Sequence, residues 1–467
     1  MNRTAQQLFT ILLAVLAGNM VFLIPAVCTQ VMASERSQVG GQQSLTSVQS
    51  LIYEEPLSLK ACLNKALKDN PLLSEAQLGV RAGEKTIDSA WGKHLPRLSL
   101  DANYTKKQDS WPYIPAQSAT EGPHFSNEFS SWSLVMTLPI YQGGQVAAGV
   151  ELAKLRKATQ DSNLSLTKNE LIANTINTYN KILQLQKLRE AARSSVSAME
   201  SQRKNSRLLY DVGRIAKVDL LKVEVQFANE KQRLFSLDEG IANMAWMLRY
   251  LMGEKITMVG ENPNLSDKLT ILEFTPDFDL AWKTAQEKRP EYLMASTNIQ
   301  EAELNKKIAW GKLFPSISAF AGYMDQYGYT PYYKEANYFV GFNLSMPIFE
   351  KSAYDEIAKE YILKSKAEKH LDAVENQIRL DIQTAISSIR ESKNRILTAG
   401  QAIEQAEESF RIEQKKYESG AGAIVDLLFA QTAYITAVAN HYQALFDYNA
   451  ALVSYRKVTG ALEEYLQ

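Results

Sequence analysis

Few residues in this chain have the types and spacing that chemistry needs. The four histidines, His94, His124, His370 and His441, lie far apart, and no two are spaced as a metal-ligand pair. There is no glycine-rich phosphate loop and no Gly-x-Ser-x-Gly elbow. The residues therefore point to a non-enzyme that uses no metal and no cofactor. Carboxylates are plentiful, but most fall on long amphipathic stretches, where they form a solvated face. Two differ because their surroundings are written twice: Val218-Asp219-Leu220-Leu221 returns unchanged as Val425-Asp426-Leu427-Leu428. Each aspartate follows shortly after a glycine, where a helix would begin and its N-terminus would favour negative charge.

The 467 residues that must position these groups carry a formal net charge of -1, which marks neither a nucleic-acid binder nor a polybasic anchor. Residues 8–27 are almost wholly apolar, follow Arg3 and precede Val31-Met32-Ala33, so residues 1–33 read as a secretory signal peptide. An uncleaved membrane anchor and lipid attachment at Cys28 are the alternatives. Cleavage after Ala33 leaves Cys62 as the sole cysteine and allows no internal disulfide. Residues 34–56, rich in Ser and Gln, read as a flexible lead. Beyond them no run approaches the roughly eighteen apolar residues of a spanning helix, which still allows a β-barrel.

The remainder is duplicated. Asn70-Pro71 recurs as Arg289-Pro290, Trp91-Gly92-Lys93-His94-Leu95-Pro96 as Trp310-Gly311-Lys312-Leu313-Phe314-Pro315, and Leu138-Pro139-Ile140-Tyr141 as Met346-Pro347-Ile348-Phe349. Tyr210-Asp211-Val212-Gly213 is echoed by Tyr417-Glu418-Ser419-Gly420, and Arg249 to Gly253 by Arg456 to Gly460. The offset is 219 at the first tryptophan (310 − 91), 208 at the Leu-Pro motif (346 − 138) and 207 at the aspartates (426 − 219). The difference arises mainly across residues 106–126, as expected of a loop. The copies span 57–253 and 276–460, with a linker at 254–275 and a short tail, 461–467, expected to add little structure.

Each copy opens with a helical stretch, 58–94 and 276–312, that its proline breaks in two. Two strands follow. Leu98, Leu100, Ala102 and Tyr104 share one face, as do Trp132, Leu134, Met136 and Leu138. The second copy offers Ile317, Ala319, Ala321 and Tyr323, then Val340, Phe342, Leu344 and Met346. The loops between them carry Trp111, Tyr113, Tyr327, Tyr329, Tyr332 and Tyr333, suiting the aromatic girdle of a barrel whose apolar strand face meets lipid. Residues 142–209 and 350–416 then read as helices of about 100 Å. Ile172, Ile176, Tyr179 and Leu183 step by 4, 3 and 4 like a coiled-coil seam. Gly213 and Gly420 turn the chain into return helices at 216–251 and 423–459. These are too short to cover the long helices, and the second half of each opening helix makes up most of the difference. Hairpins of this length must pack side by side with others. Four strands cannot close a spanning barrel, which starts at about eight, so the chain must oligomerise to insert.

This duplicated order resembles the TolC-like outer-membrane efflux protein family over nearly all of residues 57–460. The resemblance implies an α+β membrane protein assembled as a homotrimer, whose twelve strands form one outer-membrane β-barrel continued by a periplasmic α-helical barrel. It implies a passive exit duct, surrounded by outer-membrane lipid and loaded by a periplasmic adaptor protein and an inner-membrane pump. Leu209, Tyr210, Val212, Gly213 and Arg214, with Tyr417 and Gly420, match the tips where the family docks its adaptor. Plain helix-end packing is the alternative for the two tyrosines. The family narrows its tunnel at this end, often with rings of carboxylates, which places Asp219 and Asp426 at a constriction. Phe429 stands where some relatives carry a second acid, so an apolar constriction is a further option. Capping of a helix remains the competing role of the aspartates, above all for Asp219. The competing function is a trimeric coiled-coil adhesin or scaffold with no conduit, which would not need strands with an apolar face.

Overall fold

Pro71 and Pro290 each occupy the first turn of a helix, where a missing N–H is harmless, and each keeps the residue before it out of helical backbone. The computed structural model describes residues 56–108, 128–255, 264–329 and 332–466, and in it both copies open with two helices. The first copy comprises α1 (Leu59–Asp69), α2 (Pro71–Gly92), β1 (Arg97–Lys106), β2 (Glu128–Gln142), α3 (Gln145–Asp211) and α4 (Lys217–Leu251). The second comprises α5 (Phe278–Lys288), α6 (Pro290–Gly311), β3 (Ser316–Tyr329), β4 (Tyr332–Ser345), α7 (Lys351–Glu418) and α8 (Ile424–Thr459). The expected signal peptide, nearly all of the lead, Trp111 and Tyr113 lie outside the described residues. No helix among the described residues is long and apolar enough to cross a membrane.

The strands form one antiparallel sheet in the order β1-β2-β3-β4. Its register gathers the alternating apolar residues of all four on one face: Leu100 pairs with Leu134, Leu134 with Tyr323, and Tyr323 with Tyr338. Two expectations need correction. The second hairpin is paired out to Tyr329 and Tyr332, so Tyr327, Tyr329, Tyr332 and Tyr333 are strand residues and not loop residues. Tyrosine suits a pleated, half-covered surface, which lets these strands run on. The two Leu/Met-Pro motifs also part ways. β2 continues past Pro139, with a bulge between Pro139 and Tyr141 that tolerates the missing donor. β4 stops at Ser345, so Met346 lies beyond the strand in which it was expected.

The coiled-coil seams form the core. Ile172, Ile176, Tyr179 and Ile182 are fully buried, as are Ile378, Ile382 and Ile389 of the second copy. α2 covers the sheet-proximal part of α3 and α4 covers the rest, as the helix lengths require. α3, α4, α7 and α8 all end alike. Gly213 N–H donates to Tyr210 O at 2.9 Å and Arg214 N–H to Leu209 O at 2.8 Å, and the same pair of bonds recurs at Gly253, Gly420 and Gly460. All four glycines have positive φ. Gly253 and Gly460 do more than end a helix: a Cβ on Gly253 would lie 2.2 Å from Asp69 O, and one on Gly460 2.9 Å from Lys288 O. Each copy's helix-ending glycine thus touches its own proline break, and two landmarks far apart in the chain are one contact.

The linker passes over this junction. Leu265 pairs with Leu57 in a parallel bridge, and Asp267 accepts the Leu59 N–H at 2.8 Å. The tail is more ordered than expected. Residues Leu462–Leu466 form a 3-10 helix, and Leu462 is fully buried against Leu63, Ile172, Ile176 and Val453.

Cys62 is buried in α1, and burial pushes its thiol up from 9.0 to about 11. Native protein at pH 8 should therefore react with N-ethylmaleimide at least about a hundredfold more slowly than unfolded chain. Equal rates would mean that α1 is not docked. Between pH 9.0 and about 11 the unfolded thiol ionises while the folded one does not, so this site's contribution to stability is lost as pH rises.

Candidate functional site

The distal turns of the two copies share a small core. Val223, Ile424 and Leu427 are buried together, with Phe410, Tyr417 and Leu428 packed around them. Tyr417 therefore serves helix-end packing, whereas Tyr210 stays exposed beside Val212 and Arg214. The two tips are unequal: the first presents its tyrosine and the second tucks it in.

Neither aspartate is an N-cap. Ala216 and Ala423 hold those positions without any side-chain hydrogen bond. Asp219 and Asp426 are the third residues of α4 and α8, close enough for the helix dipole to favour their charge. What distinguishes them lies one turn on. Lys222 Nζ donates to Asp219 Oδ1 at 3.1 Å, and the matching residue after Asp426 is Phe429, 77% exposed. Asp426 is exposed and makes no ion pair among the described residues. Lys222 was not singled out from the sequence, although its i,i+3 spacing is legible there. α8 packs mainly against α7 and α3, and meets α4 at the tip, while Asp426 and Phe429 stay exposed one turn apart.

Open edges recur at every level. β1 and β4 each have one neighbour. α3 packs against α6 and α8, but no comparable packing joins α7 to α2 or α4. Gly311 fits tightly against Gly143, whose O would lie 2.7 Å from an added Cβ, while its counterpart Gly92 meets nothing within 4 Å. Beside the open edge of α7, Ile348 and Phe349 are 94% and 81% exposed.

The apolar face of the sheet is uncovered as well. Leu100, Val340, Phe342 and Leu344 are exposed, and Trp132 leans on Tyr323 with ring centroids 5.2 Å apart. Leu134, Met136 and Leu138 lie half-buried on the same face. This band gives way at its outer end to Lys106, Glu128 and Asp325, the last accepting the Tyr327 hydroxyl at 2.6 Å. A sheet with one apolar face and one largely polar face, open at both edges, has the pattern that a section of a barrel wall between lipid and water requires. Among the described residues no group of acidic, histidine or cysteine side chains is placed to hold a metal ion.

A family profile described as outer membrane efflux protein matches residues 62–254 and 281–461. The outer membrane protein TolC of Vibrio cholerae is 20% identical over 434 residues, which cover 90% of this chain and 94% of that protein. The TolC of Escherichia coli is 25% identical over 444 residues, 90% of this chain and 85% of that one. Among solved structures, the CmeC outer membrane channel of Campylobacter jejuni superposes with a TM-score of 0.76 at 15% identity, covering 86% of this chain and 85% of its own.

Proposed function

This chain belongs to the outer membrane efflux protein family, and we propose from its open edges how it builds the conduit. It is an outer-membrane efflux duct with its helical tunnel in the periplasm. Its edges are unlike, β1, α2 and α4 on one side and β4 and α7 on the other, so copies join head to tail and close as a ring. Three copies supply twelve strands, enough for a spanning barrel. In each seam α7 meets the α2 and α4 of the next copy as α3 meets α6 and α8 within the chain, and Gly92 gains the neighbour that Gly311 already has. That shared sidedness of the open edges at sheet and helix level is the observation that carries the reading.

Conduction through such a ring makes and breaks no bond. The exposed Tyr210, Val212 and Arg214 suit docking of a periplasmic adaptor that brings cargo from an inner-membrane pump. Asp426 and Phe429, exposed on α8, line the narrow end. The test is direct. The protein should run as a heat-modifiable oligomer from outer-membrane fractions and conduct ions in planar bilayers. A soluble monomer without conductance would defeat the duct.

A further inference from the structure

The other face of the sheet, which lines the lumen once the barrel closes, is not uniformly polar. We propose that it carries a subsite for aromatic organic cations, formed by Val135, Phe320, Met324 and Phe339 beneath two carboxylates. This rests on the duct reading and deepens it by naming a class of cargo.

Strand alternation places these four side chains on the face opposite Leu134 and Tyr323. The register makes them contiguous. Thr137, Phe320 and Gly341 lie in one row across the sheet, Val135, Gly322 and Phe339 in the next, and Ser133, Met324 and Asn337 in the third. Both phenyl rings lie flat on the wall because the residue opposite each is glycine. A Cβ on Gly341 would come within 2.7 Å of the Phe320 ring, and one on Gly322 within 2.5 Å of the Phe339 ring. The ring centroids are 6.1 Å apart. The result is a low apolar ledge amid serine, threonine and asparagine.

Charge decides what the ledge suits. Asp101 sits in the row of Met324, across Ser133, and is exposed without an ion pair among the described residues. Glu335 lies one row further out, where Asn337 Nδ2 donates to its Oε1 at 2.9 Å. Arg97, the one base on this face among the described strand residues, is in the Phe320 row, on the other side of the ledge from the carboxylates. A ligand with aromatic rings could lie on the phenyls and the thioether and turn a positive charge toward Asp101 and Glu335. A bare metal ion would gain nothing from the ledge. Aromatic cover of strand glycines has a structural use of its own, but that use needs neither Met324 nor the carboxylates.

Single-channel block in planar bilayers tests this, with tetraphenylphosphonium as the aromatic cation and tetrabutylammonium as its ring-free control. Tetraphenylphosphonium should half-block the wild-type channel at a concentration about tenfold below that of tetrabutylammonium. Phe320→Ser with Phe339→Ser should remove most of that difference, and Asp101→Asn should weaken block by both cations. Should the double serine variant fail to assemble, Met324→Gln and Asp101→Asn leave both phenylalanine–glycine pairs intact and decide the matter. Equal block by the two cations, or variants that block as the wild type does, would overturn the subsite and leave the duct standing. Oligomers that insert but conduct nothing would overturn the duct, and the subsite with it.

Discussion

Gly253→Ala is expected to remove the assembled oligomer from the outer membrane, while Gly213→Ala leaves it near the wild-type level. Both glycines end a long helix with φ near +75 (+76 and +75). Forcing alanine into that backbone costs about 1–2 kcal/mol at either site. The surroundings then separate them. At Gly213 nothing lies within 4 Å of an added Cβ. At Gly253 it would stand 2.2 Å from Asp69 O, 2.6 Å from Asp69 C and 3.0 Å from Asn70 N, all backbone atoms that cannot swing aside. Asn70 is itself committed, donating to Leu251 O at 2.8 Å and accepting the Leu72 N–H at 2.9 Å. Moving this junction pulls on α1, α2 and α4 together, so a total above about 4 kcal/mol is expected. Heat-modifiable oligomer in outer-membrane fractions reads the result. Equal amounts of the two variants would show that the contact at Asp69 is dispensable.

Asp426→Asn is expected to lower the cation-over-anion permeability ratio about threefold, because in the proposed ring one Asp426 per copy places like charges together at the narrow end. Asp219→Asn should do far less, since Lys222 already offsets that carboxylate. Two reciprocal changes sharpen the test. Phe429→Lys gives Asp426 the partner that Asp219 has and should mimic Asp426→Asn while keeping the acid. Lys222→Ala frees Asp219 and should raise cation preference. Reversal potentials in asymmetric salt measure all four. If Asp426→Asn leaves selectivity and conductance unchanged, the aspartate only favours the start of α8.

The helices were legible because their ends are chemical. Pro71, Pro290, Gly213 and Gly420 impose backbone conformations that no packing has to supply, and the observed helices begin or end within a residue or two of them. The seam from Ile172 to Leu183 was legible for a similar reason, since its spacing states which residues must be covered. Asp219 and Asp426 fall in the first turn, where the helix dipole favours their charge, but neither is the N-cap residue, because nearness to a helix start does not say which residue has non-helical backbone, and Ala216 and Ala423 do. The tyrosines of the second hairpin were misplaced since tyrosine suits a girdle loop and a strand equally well. Contacts such as Gly253 with Asp69, or Phe339 over Gly322, depend on register and helix crossing, which no local pattern encodes. The unlike partners of the two aspartates stood in the open at an offset of 207. Their meaning needed the knowledge that both helices start with the acid at the same position.

The unlike edges of the chain have a genetic consequence. In a ring closed head to tail, a copy damaged only along β4 and α7 still offers a sound β1 edge to the copy behind it. It is therefore recruited into the wall and leaves one seam open, with strand hydrogen bonds facing lipid. Lesions along that edge should be dominant when damaged and intact chains are made together. A chain too damaged to fold is never recruited, and its loss should be recessive.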